Sequence, residues 1–109
     1  MTDYLQVVST ASSQEEAVRL AWGATEARLA AGVQIMGPIR SIYWWGGKIQ
    51  DAEEWRLVIK TTSDALPALE SYIKANHGYE VPEIVATPIV AGSVEYLSWV
   101  RAVTTQDRS

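Results

Sequence analysis

Read from its first apolar run onward, the chain predicts an α+β fold: a ferredoxin-like βαββαβ sandwich with an additional C-terminal helix and a long hairpin between its second and third strands. Three observations carry that expectation. Four stretches rich in β-branched and aromatic residues are separated by segments whose apolar residues recur at helical spacing. The central stretch is long and aromatic, with Tyr43, Trp44 and Trp45 in succession. A last segment of helical period follows the fourth stretch.

Residues 4–10 carry Leu5, Val7 and Val8 ahead of a Ser-rich break and predict the first strand. Ser13, with Glu16 three residues on, forms a capping box for a helix reaching about Ala31, whose inner face is Ala17, Leu20, Ala21, Ala24 and Ala27. Gly32 is the expected stop, because glycine adopts left-handed geometry without a Cβ penalty. Residues 33–36 and 39–49 make the first arm of the hairpin, interrupted at Gly37-Pro38, and residues 55–60 make the second, with 50–53 between them. Gly46-Gly47 then falls inside the first arm and reads as a bulge or bend, a turn being the competing reading. Asp64 is placed as the cap of the second helix, with Pro67 at its third position, Leu66, Leu69 and Ile73 as its buried stripe, and its end near 76–78. Residues 84–90 form the fourth strand, and Pro88 within it suits a sheet edge. Ser93 caps the last helix, which runs to about Val103 with apolar residues around most of its circumference, so it needs cover on more than one side.

With 109 residues, 48% hydrophobic and 20% charged, the composition suits a single domain over 1–109. A domain of this size buries about 60–65% of its unfolded surface, so association with further copies is expected to add to its stability. A net charge of −4 and nine Lys and Arg residues without a basic run argue against nucleic acid as a partner. No apolar run approaches the ~20 residues of a membrane-spanning helix. The N-terminus also lacks a basic start followed by an apolar core, so a cytoplasmic protein without membrane insertion is expected. The chain has no cysteine, which excludes disulfides, thiolate nucleophiles and cysteine-built zinc sites. A single histidine means that any His-rich metal centre must draw on several subunits or on other donors.

Chemistry concentrates in His77-Gly78-Tyr79-Glu80-Val81-Pro82-Glu83-Ile84. His77, Glu80 and Glu83 are candidate ligands for a divalent ion such as copper or zinc, since neutral imidazole and carboxylate both bind such ions. The competing reading has His77 merely closing the preceding helix. Tyr43 and Trp45 share one strand face while Trp44 takes the other, so both faces of the hairpin need cover. Contact with another subunit supplies it, or on one side a ligand pocket; Lys60, at the polar phase of the partner strand, reads as a solvated strand lysine, an anion-binding group being the competing reading. There is no GxGxxG or Walker-type loop, and Glu15-Glu16 and Glu53-Glu54 read as a helix start and a loop, so no enzyme is expected.

Taken in order, Ala30-Ala31-Gly32-Val33-Gln34-Ile35, Ser41-Ile42-Tyr43-Trp44-Trp45-Gly46-Gly47-Lys48-Ile49, residues 57–61, the 77–84 segment and Tyr96-Leu97-Ser98-Trp99 resemble the CutA family, small proteins named for divalent-cation tolerance. The resemblance implies a ferredoxin-like subunit in a tight homotrimer, similar in architecture to the PII signalling proteins. It further implies intersubunit clefts presenting Tyr43, Trp45, Lys60, His77, Tyr79, Glu80 and Glu83, and a response to copper or other divalent ions. A PII-like module that binds a small anion or a partner protein is the competing implication. Where the family often has cysteine this chain has Gly32, and Gln34, Gly46 and Gly78 replace its usual Asn, Glu and Pro. Of a thiolate–imidazole copper site, only His77 carries over.

Overall fold

The computed structural model describes residues 3–105. The elements are β1 (Tyr4–Ala11), α1 (Gln14–Glu26), β2 (Gly32–Trp45), β3 (Lys48–Thr62), α2 (Leu66–Asn76), β4 (Val85–Pro88) and α3 (Val94–Thr104), in the expected βαββαβ order with a helix added. Every pairing is antiparallel and the strand order is β2-β3-β1-β4. β4 pairs with β1 alone, which accommodates Pro88, a residue with no N–H to give to a ladder.

Strand alternation places Val7, Leu57 and Ile59 on one face, where they pack with Ala17, Leu20 and Ala24 of α1 and Leu69 and Ile73 of α2 in one buried cluster. Each fully buried Leu or Ile is worth about 1.5–3 kcal/mol relative to exposure. Residues of opposite phase meet α3: the Thr62 and Thr104 hydroxyls lie 3.4 Å apart, and the ring of Trp99 covers Gly32. The sheet is thus packed on both sides, by α1 and α2 on one and α3 on the other.

Three local expectations are corrected. Helix α1 stops at Glu26, short of Ala31, because Arg28 takes the left-handed conformation (φ 59°). Leu29 N–H then bonds Ala24 O at 3.0 Å and Arg28 N–H bonds Thr25 O at 3.0 Å, a Schellman closure sealed by the buried side chains of Leu29 and Ala24. Gly32 instead opens β2. In the hairpin, Gly46 and Gly47 are the turn itself, at φ 64° and 79°, with Trp45 paired to Lys48 across it. Two consecutive residues with positive φ give a turn whose twist matches the strands, and glycine reaches it at no steric cost. Residues 50–53 accordingly lie within β3, and the irregularity in β2 sits between Met36 and Ile39, at Gly37-Pro38. Lastly, Asp64 does not cap α2: the cap position is Ala65, which makes no side-chain capping bond, and Pro67 lies within the first turn. The other two caps form as expected, with Ser13 Oγ accepting from Glu16 N–H at 3.1 Å and Ser93 Oγ from Tyr96 N–H at 3.2 Å.

Candidate functional site

β3 outruns β1: its residues 48–54 pair only with β2, so the hairpin projects past the end of the sheet. The chain leaving α2 folds against the base of that projection, and His77 fastens it there. The His77 side chain is 0% exposed. Tyr79 N–H can only donate, so Nδ1 accepts from it at 2.9 Å. Thr10 O can only accept, so Nε2 donates to it at 2.6 Å. These partners define a neutral imidazole protonated at Nε2, with both ring nitrogens in use.

Glu16 adds a second fastening. Its Oε2 accepts from Gly78 N–H at 2.7 Å and its Oε1 from Ser12 N–H at 3.1 Å. Burial alone would raise the carboxyl, but the Gly78 and Ser12 donors prevail and hold it below the usual carboxylate range. The capping box read from the sequence therefore does two tasks, starting α1 and pinning the loop.

The loop fixed in this way faces a groove of about 760 Å³. Tyr43 and Trp45 come from β2, Glu54 from β3, and Tyr79, Glu80 and Glu83 from the loop. Ladder register explains the company: Trp45, Tyr43, Ser41 and Ile39 oppose Lys48, Gln50, Ala52 and Glu54, so these side chains share one face. Tyr79 Oη donates to Glu54 Oε2 at 2.6 Å. Burial, and then that bond to a carboxylate, push the phenol well above its ordinary value, so it remains a neutral donor.

The groove brings together five of the residues singled out from sequence: Tyr43, Trp45, Tyr79, Glu80 and Glu83. Lys60 is not among its lining residues; it sits half-buried on β3 opposite Gly32 and Gln6. His77 is not among the groove's lining residues, and both of its ring nitrogens are hydrogen-bonded, to Thr10 O and to Tyr79 N–H. His77, Glu80 and Glu83 do not converge, and among the described residues no three His, Asp or Glu side chains are grouped to hold a metal ion. Sequence reasoning missed Glu54 and Glu16. Reading Gly46-Gly47 as the turn would have put Glu54 in phase with Tyr43 and Trp45.

The geometry defines a class: ferredoxin-like α+β subunits with an overlong aromatic hairpin and a loop-walled groove at its base. Residues 5–103 match the family described as "CutA1 divalent ion tolerance protein", and the chain belongs to that family. It is 46% identical over 95 residues to the divalent-cation tolerance protein CutA of Thermus thermophilus, covering 87% of this chain and 92% of that one. It is 44% identical over 95 residues to the chloroplastic protein CutA 1 of Oryza sativa, where the match spans only 54% of the relative's length. The crystal structure of CutA1 from Oryza sativa superposes with a TM-score of 0.92 at 40% identity, covering 97% of each chain. Among the described residues no helix is long and apolar enough to cross a membrane.

Proposed function

We propose that this chain acts in divalent-cation tolerance as a binding protein without enzymatic activity, working as a homotrimer and meeting its cation in the groove between the hairpin and residues 78–83. The observation that carries the siting is the lining: Glu54, Glu80 and Glu83 are present, and among the described residues no Lys, Arg or His joins them. Such a groove attracts cations and disfavours the small anion of a PII-like reading. Of the donors implied for copper or zinc, His77 does not fit, since coordination would break the bond to Thr10 O or the one from Tyr79 N–H. Glu80 and Glu83 remain as oxygen donors, and a fuller coordination shell calls for donors from a neighbouring subunit.

Trimer formation is supported by apolar surface that the single chain leaves uncovered. On the hairpin, Ile42 beside the groove and Trp44 and Ile49 away from it are 65%, 71% and 59% exposed. On α3, Val94, Tyr96 and Trp99 are also exposed. Surface of this kind marks an interface. A binding role is supported by the pairing of the buried Glu54 with the half-buried Tyr79 in the groove wall. Light scattering is expected to give a trimer mass with or without chelator. Calorimetric titration of zinc is expected to show weaker binding in the Glu80→Gln/Glu83→Gln double variant; a monomer mass, or unchanged affinity, overturns the corresponding part.

A further inference from the structure

We propose that the groove takes a small organic cation, a primary ammonium or guanidinium on an aliphatic stem, seated against Glu54 with its stem along Tyr43 and Trp45. This deepens the preceding section and rests on its view that the groove is the working site. Glu54 is 5% exposed, and among the described residues the hydroxyl of Tyr79 is its one hydrogen-bond donor. Asp51 meets Arg40 and Glu70 meets Lys74, but no Lys, Arg or His of the described residues pairs with the buried Glu54. A carboxylate buried without a counter-charge is costly, and a bound cation offsets that cost. The neutral phenol of Tyr79 satisfies one oxygen and leaves the charge uncompensated.

The walls select the kind of cation. Tyr43 and Trp45 are 38% and 50% exposed, so aromatic surface reaches the open groove, and ring faces attract ammonium and guanidinium groups. A bare metal ion draws nothing from such walls and needs a compact donor set that the described residues do not provide. The volume of about 760 Å³ is that of a small-molecule site. Glu80 and Glu83 supply further negative charge, which steers cations inward and repels carboxylates and phosphates.

The test is calorimetric titration of the full chain with 1,4-diaminobutane and with agmatine, alongside zinc chloride and, as an anion, glutarate. Both organic cations are expected to bind saturably and glutarate not at all. Glu54→Gln keeps an acceptor for Tyr79 but removes the charge, and it is expected to weaken organic-cation binding by about tenfold or more. Trp45→Leu, at a partly exposed position, is expected to weaken it by about threefold. Lys60→Ala should leave it unchanged, and all three variants should keep the wild-type circular dichroism and mass. Failure of both organic cations while zinc binds overturns this proposal and leaves the divalent-cation reading standing. Failure of zinc as well overturns both. Organic-cation binding undiminished by Glu54→Gln overturns the assignment to this groove.

Discussion

Replacing His77 by alanine removes a side chain that is 0% exposed and two hydrogen bonds, of 2.6 and 2.9 Å, that tie the loop to β1 and to itself. The partners left behind are a carbonyl, Thr10 O, and an amide, Tyr79 N–H, and a buried polar group without a partner costs about 1–3 kcal/mol. Solvent will reach the loosened loop and recover part of that, so the net loss is expected to be about 3 kcal/mol. That is a large share of the ~5–15 kcal/mol available to a domain of this kind. Urea unfolding followed by circular dichroism reads it, with wild type and variant at one protein concentration because assembly shifts the midpoint. Glu80→Ala, which removes no hydrogen bond of the described residues, serves as the control and should shift stability by less than about 0.5 kcal/mol. If His77→Ala proved as mild as that control, the imidazole would not be a fastener.

Arg28→Gly is expected to raise stability by about 0.5–1 kcal/mol, measured the same way, since glycine relieves the left-handed strain at φ 59° at the cost of one 3.4 Å contact to Val103 O. Glu16 titrates below its ordinary value of 4.5 in the folded protein, so its contribution is present above that value and lost as pH falls through the lower folded value. Glu16→Gln should therefore be less stable than wild type at neutral pH and should lose less on acidification past 4.5; parallel pH profiles would refute the Gly78 and Ser12 bonds as the cause.

Much of the fold was legible because its signals are local. Ser13 and Ser93 announce helix starts through side-chain oxygens, and Pro88 announces an edge through a missing donor. The failures came where two local signals competed. Arg28 closes α1 in a conformation that side chains rarely adopt, so Gly32 looked the better stop. Gly46-Gly47 is a strong turn signal that was outweighed by the aromatic run around it, and that choice shifted the register of the whole hairpin. The same slip hid Glu54, which reads as a loop residue until Trp45 is paired with Lys48. The composition of the groove walls was readable from residues 43–45 and 79–83. The role of His77 was not, because its partners, Thr10 O and Tyr79 N–H, are backbone groups that no side-chain pattern reveals.

His77 is the only histidine in the chain, so its ring nitrogens give unambiguous nitrogen-15 signals in the full-length protein. Following them while zinc is added tests most directly whether the imidazole fastens the loop and leaves cation binding to the groove. The expected spectrum is that of a neutral ring protonated at Nε2, unmoved by zinc, while the amides of Glu80 and Glu83 shift. A metal-dependent change at Nδ1 or Nε2, with Tyr79 N–H released, would contradict the account.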